Sequence, residues 1–387
     1  MNTIAQLQQS ITRHEGYLKT DPRNPHLWLM LGDLYHRSGN FAQAIDAFER
    51  CGEYAADERT VVHGRVASVL ISQHRFDEAE SRLRAIISSG ENSPELLHNL
   101  GLALYYQEKW QEAQRYFEQA IDAAQASASA LDYLARALHH QGDIDKAIEA
   151  CERRIGVDND PQDEGRGYLA LLHLDNGNTA EADTLAQAVL ARSPHNRDAA
   201  IVAGVSAVER QEIDNAARWF GRVAERQPNS GRALLGLGLV HLYLQEHAQA
   251  VDALERAARL MPNNAGTVVT LGWARLAMRD IAGSEQTFRR AIEVDRNFAE
   301  SHGGLASALA MQGKVDSARE SIHIAKRLDP RSFGAAFAQG VILKIRGQNE
   351  RATRFIATLL EQSPTEGSRR LIDYIRDFLR TRTPPSG

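Results

Sequence analysis

The chain has 387 residues, enough for two or three ordinary domains or for one long repeat array. Hydrophobic residues at 43% and charged residues at 25% exclude a disordered chain. With 45 Lys and Arg against 50 Asp and Glu, the net charge of −5 gives no electrostatic reason to expect nucleic acid or an anionic membrane as partner. No apolar run is long enough to cross a bilayer, and the opening "MNTIAQLQQSITRHEGYLKT" lacks the basic-then-apolar order of a leader, so a cytoplasmic location is the default expectation. The two cysteines, Cys51 and Cys151, are too far apart in the chain for a zinc motif and too few for a disulfide framework.

In chain order, Ile4, Leu7, Ile11 and Leu18 make an apolar stripe on a first helix, and Pro22 follows it. Residues 1–24 therefore read as an N-terminal capping helix, half of a repeat. From residue 25 onward a period of 34 runs through the chain. It connects Pro194, Pro228, Pro262, Pro330 and Pro364, then Gly204, Gly238, Gly272, Ala306 and Gly340, then Ala182, Ala216, Ala250, Ser284, Ala318 and Ala352. Allowing one-residue insertions near 59 and 162, repeats begin at 25, 60, 94, 128, 163, 197, 231, 265, 299 and 333. Each carries two helical patterns separated by a polar or glycine-bearing break such as "RSGN", "DNGN" or "QGK". Such a unit cannot bury its faces alone and must stack on its neighbours. After residue 364, Leu371, Ile372, Ile375, Phe378 and Leu379 mark an amphipathic C-terminal capping helix with a basic outer side, over 365–387. Two readings of its charge stand: a solvating cap, or a basic surface for a membrane.

The first repeat reads Trp28, Leu31, Gly32, Tyr35, Gly39, Ala44 and Phe48; the third gives Leu97, Leu100, Gly101, Leu104, Ala113, Phe117 and Ala120. In this pattern the array resembles a tetratricopeptide repeat solenoid over residues 25–364. The resemblance implies an all-α fold, a right-handed superhelix of antiparallel helix pairs with a capping helix at each end. Its concave face, lined by the first helix of each repeat, would hold the ligand. Departures are Ala56, Glu91, Gln125, Asn159 and Arg296 where the closing proline belongs. Small residues at 186, 200, 203 and 207 predict looser packing in the fifth and sixth repeats.

Repeats and caps use the whole chain, and no catalytic motif interrupts them. Gly236-Leu-Gly238 would need a third glycine where His241 stands, and a preceding strand, to cradle a dinucleotide. Gly313-Lys314 lacks the upstream glycine of a phosphate loop, and "DNDPQDEG" ends on Leu169 where a calcium loop requires glutamate. His98, His139 and His140 could be imagined as metal ligands, but adjacent residues diverge by about 100° on a helix. No enzyme activity, cofactor or metal is expected.

In the first helix of each repeat, the residues turned away from the partner helix would face the concave surface. They comprise an aromatic and polar segment, Asn99, Tyr105, Tyr106, Tyr133, Arg136, His140 and Tyr168, and an apolar one, Val205, Leu235, Leu239, Leu242, Tyr243, Val269, Trp273, Leu276 and Phe337. Either these residues line a groove or they are buried between neighbouring first helices. The carboxylate clamp that family members use for acidic chaperone tails is missing its lysines: Gly64 and Ser129 stand in those places beside Asn99. An apolar groove suits an amphipathic helix or extended hydrophobic segment. The reading is a co-chaperone-like adaptor whose partner is a protein or peptide segment, not nucleic acid, and not a membrane except through a membrane-bound partner. The alternatives are a ligand-responsive regulatory receptor, or an accessory assembly factor of a membrane or secretion machine.

Overall fold

Short polar residues open the helices, and a left-handed residue closes each turn. The computed structural model describes residues 2–124, 127–157, 160, 163–348 and 350–352, which carry α-helices and one 3-10 turn, Ala56–Glu58, and no strand among the described residues. The chain divides into two units, Met1–Asn159 and Asp160–Gly387. The first contains α1 (Asn2–Thr20), α2 (Pro25–Arg37), α3 (Phe41–Tyr54), α4 (Arg59–Ser72), α5 (Phe76–Ser88), α6 (Pro94–Tyr106), α7 (Trp110–Ala124), α8 (Ala128–Gln141) and α9 (Ile144–Val157). The second contains α10 (Glu164–Asp175), α11 (Thr179–Arg192), α12 (Arg197–Glu209), α13 (Ile213–Arg226), α14 (Gly231–Tyr243), α15 (His247–Leu260), α16 (Ala265–Ala277), α17 (Ile281–Val294), α18 (Ala299–Met311), α19 (Val315–Leu328) and α20 (Phe333–Ile345). The C-terminal cap expected over 365–387, with Leu371 through Leu379, lies outside the described residues.

The residue before a first helix recurs as its cap. Asn24, Ser93, Asn196, Asn264 and Ser332 each accept a hydrogen bond from the backbone N–H three residues on, which satisfies a donor the helix cannot. Within each pair the chain reverses through one residue of positive φ: Gly39, His74, Glu108, Gly142, Gly177, Gln211, Gln245, Arg279, Gly313 and Gly347. These ten follow the sequence period. Where the residue is not glycine, the turn carries the steric cost of the left-handed conformation, about 1–2 kcal/mol.

Packing inside a pair rests on a ring set into a glycine. The rings of Phe48, Phe117, Phe220 and Phe288 are fully buried against Gly32, Gly101, Gly204 and Gly272 of the preceding first helix. Phe220 also presses on Gly236 of α14, and Phe288 on Gly304 of α18. One ring is thus held between two glycines of successive first helices. This answers what Gly236 and Gly238 do: Gly236 takes Phe220, and Gly238 takes Leu254.

Successive pairs are also joined by polar contacts 27–29 residues apart. Glu80 binds Gln107 and Lys109, Gln141 donates to Gln114, Arg210 reaches Asp183, and Gln312 and Lys314 reach Glu285. At the N-terminus of the first unit, Ile11 and Leu18 of α1 are buried and the Tyr35 hydroxyl donates to Glu15 at 2.7 Å. Burial first, and then the Glu15 carboxylate, pushes that hydroxyl's pKa up to about 12. Cys51 and Cys151 are both buried.

Candidate partner-binding surface

In the first unit the aromatic residues of α6 and α8 meet. The rings of Tyr105 and Tyr133 lie 5.3 Å apart edge to face, and the Tyr106 and Tyr133 hydroxyls share a hydrogen bond of 2.9 Å. Burial, followed by that hydrogen bond, pushes the Tyr133 hydroxyl pKa up. His140 is exposed and stacks on Trp110 at 4.2 Å, and Phe76 stacks on Tyr106 at 5.1 Å. Tyr106 remains 46% exposed, and Tyr105, Tyr133 and Arg136 are half-buried. The outcome is a fixed aromatic surface with hydroxyl, imidazole and guanidinium groups at its edge. Asn99 is not part of it. Its amide is buried and donates to the Gly64 carbonyl of α4 at 3.0 Å.

Sequence reasoning missed Phe76 and Trp110. Both stand at the first position of a second helix, where Phe41, Ile144, Ile213, Ile281 and Val315 recur in the same register. The same 34-residue step could have found them.

The second unit treats its apolar first-helix residues differently. Residues 198–208 of α12 and 299–310 of α18 are buried without a break. Despite the small side chains at 200, 203 and 207, α12 is buried along this whole stretch. Arg232 of α14 reaches Asp175 at the end of α10 by two hydrogen bonds, of 2.6 and 3.1 Å. Asp175 is buried and Arg232 nearly so, and each has further interactions. The first helices on either side of α18 are joined by aromatic rings: Trp273 of α16 meets Phe333 and Phe337 of α20, at 5.7 and 6.0 Å. Gly303 and Gly334 let the backbones of α18 and α20 touch, and the Ser307 hydroxyl lies 3.0 Å from both glycine carbonyls. Glu300 of α18 accepts the backbone N–H groups of Phe333 and Gly334 at 2.7 and 3.0 Å, and burial pushes its carboxyl pKa up.

Accordingly, Tyr168, Val205, Leu235, Val269 and Leu276 are buried inside this unit. Trp273 and Phe337 are half-buried and face one another. Of the expected apolar residues Tyr243 stays 59% exposed, with the half-buried Leu239 and Leu242 along α14, and Met311 and Ile345 at the ends of α18 and α20 are exposed too. His139 is buried beside exposed His140, and among the described residues no group of three or more His, Cys, Asp or Glu could hold a metal ion. No helix among them is long and apolar enough to cross a membrane.

Tetratricopeptide repeat family models match residues 4–58, 98–164, 169–229, 202–265 and 269–333, and a second such model matches 58–126. The chain belongs to the tetratricopeptide repeat family. Its fold is an all-α solenoid, and the family supports a protein-interaction role in general terms. This tetratricopeptide repeat protein is 24% identical over 130 residues to the formate-dependent nitrite reductase complex bifunctional subunit NrfFG of Haemophilus influenzae, a match covering 33% of this chain and 34% of the relative. It is 27% identical over 139 residues to superkiller complex protein 3 of Mus musculus, covering 36% of this chain and 9% of the relative. The matches thus span about a third or less of either relative's length. Among solved structures, human IFIT1, a dimer with m7Gppp-AAAA, aligns over 93% of this chain and 91% of its own at 14% identity, with a TM-score of 0.55. Yeast Tom70 aligns over 98% and 94% at 16% identity, with a TM-score of 0.39. At such identities the likeness to IFIT1 is one of fold.

Proposed function

We propose that this protein is a non-catalytic, co-chaperone-like adaptor that binds an amphipathic or hydrophobic segment of a partner protein on its first-helix face. The observation that carries the reading is the aromatic surface of α6 and α8, where ring–ring contacts already fix Tyr105, Tyr106 and Tyr133 while Tyr106 stays 46% exposed. Rings held in place before binding lose little freedom when a partner covers them, the property that makes aromatic residues effective anchors. In the second unit, Leu239, Leu242 and Tyr243 offer a second apolar contact. Trp273 and Phe337, which satisfy one another, serve the wall. Both relatives are named as parts of multiprotein complexes, which supports a role in assembly.

The test places a photo-crosslinking amino acid at Tyr106 and at Tyr243, identifies the captured partner peptide, and titrates that peptide, synthesised, against Tyr106→Ala and Tyr243→Ala. Each variant should weaken the peptide captured at its own position by tenfold or more with helicity unchanged. Full affinity in both would remove the first-helix face as the site.

A further inference from the structure

The corner between α11 and α12 and the end of α13 enclose a cavity of about 140 Å³ whose wall carries His195, Arg197, Ala200, Arg222, Arg226 and Gln227. The repeat period supplies its explanation. One repeat earlier, Asp163 occupies the register position of Arg197. There its carboxylate accepts hydrogen bonds from Arg192 at 2.9 and 3.1 Å, from the Ser193 hydroxyl at 3.0 Å and from Arg166 at 3.3 Å. Arg192 beside it holds the Asp163 carboxyl below the usual carboxylate range. A step of 34 residues converts Arg192, Ser193 and Arg166 into Arg226, Gln227 and Ala200, all on the cavity wall. The same step converts the carboxylate-bearing Asp163 into Arg197.

Two of the three donors that surround the acid in the fifth repeat thus have donor counterparts in the sixth, Arg226 and Gln227, while the third becomes Ala200 and the acid is gone. Arg226 has no hydrogen-bond or ion-pair partner among the described residues. Arg222 donates to the Pro194 carbonyl at 2.9 Å and lies over the Trp219 ring, so its guanidinium is held at the cavity with its charge unpaired. Arg197 is held by Asp198 at 2.8 and 3.1 Å. The guanidiniums of Arg222 and Arg226 thus bring two positive charges to a space lined also by Ala200 and Val223. A planar carboxylate matches such forks in two-point geometry.

We propose that this cavity is a second binding site, which takes the carboxylate side chain of an acidic peptide segment. It is independent of the aromatic surface, so either assignment can fail without the other. The experiment titrates the full chain calorimetrically, at low salt, with blocked Ala-Glu-Ala, with blocked Ala-Gln-Ala, and with inorganic phosphate. The glutamate peptide should bind saturably and at least tenfold more tightly than the glutamine peptide. Arg226→Gln, an exposed position, should weaken it tenfold or more. Arg197→Gln, which removes a second guanidinium from the wall, should also weaken it, with helicity followed by circular dichroism because buried Asp198 loses a partner. Equal affinity for the two peptides, unchanged affinity in both variants, or phosphate binding more tightly than the glutamate peptide would overturn the assignment.

Discussion

Gly236→Ala adds one methyl group to a helix, and an exposed helix would welcome it. A Cβ at this position would lie 2.5 and 2.6 Å from Cε1 and Cδ1 of Phe220, where ordinary carbon contacts are about 3.5–4.0 Å. The ring cannot withdraw, because its other side lies against Gly204, where an added Cβ would sit 2.7 Å away. Overpacking a full core costs about 1–3 kcal/mol, and replacing a helical glycine with alanine returns about 1 kcal/mol. The expected net is between no change and a destabilisation of about 2 kcal/mol. Gly221, in the interior of α13, has nothing within 4 Å of its added Cβ. Gly221→Ala should therefore stabilise by about 0.5–1 kcal/mol. The pair is measured by urea unfolding followed by far-UV circular dichroism, with amide exchange on α13 and α14 to locate the change. If Gly236→Ala stabilises as much as Gly221→Ala, the account of one ring held between two glycines is wrong.

Other outcomes follow from the same packing. Gly313→Ala, at φ +76°, should cost about 1 kcal/mol in thermal unfolding, while Gln245→Gly, at φ +59°, should gain a few tenths. Asp175→Asn or Arg232→Met removes one side of a buried ion pair whose members keep further interactions, and should cost about 1–3 kcal/mol, read from denaturant midpoints; no measurable loss would mean that the pair does not hold the two helices. Glu285, held by Arg289, Gln312 and Lys314, has its pKa drawn down to about 2. A depressed carboxylate contributes its stability above its unfolded pKa and loses it on acidification. Midpoints should therefore fall as pH drops from about 4.5 toward about 2, and Glu285→Gln should flatten that fall.

The period made the helices and the family legible, because each repeat writes its cap, turn and glycine notch within 34 neighbouring residues. Which first-helix residues stay open was legible only in part. Asn99 looks like a groove residue until Gly64, 35 positions away, supplies a carbonyl for its amide. Trp273 looks like an anchor until Phe337, two repeats on, meets it. Both outcomes depend on how closely neighbouring helices approach, and that distance is set by small residues whose effect a single helix does not display. The small residues of α12 signalled looseness when read alone. In the unit α12 is instead buried over 198–208, and its neighbouring first helices are joined by Arg232 and Asp175.

That contact bears on modularity. In an array where each unit touches only its neighbours, a unit can be excised and the ends rejoined with the loss of one interface. Here the sixth repeat, with α12, and the ninth, with α18, each stand between two repeats that contact one another. Removing residues 197–230 would bring Asp175 and Arg232 into adjacent units, at a separation their hydrogen bonds were not built for. These two repeats are keystones, and a shortened form of the protein would have to be cut elsewhere.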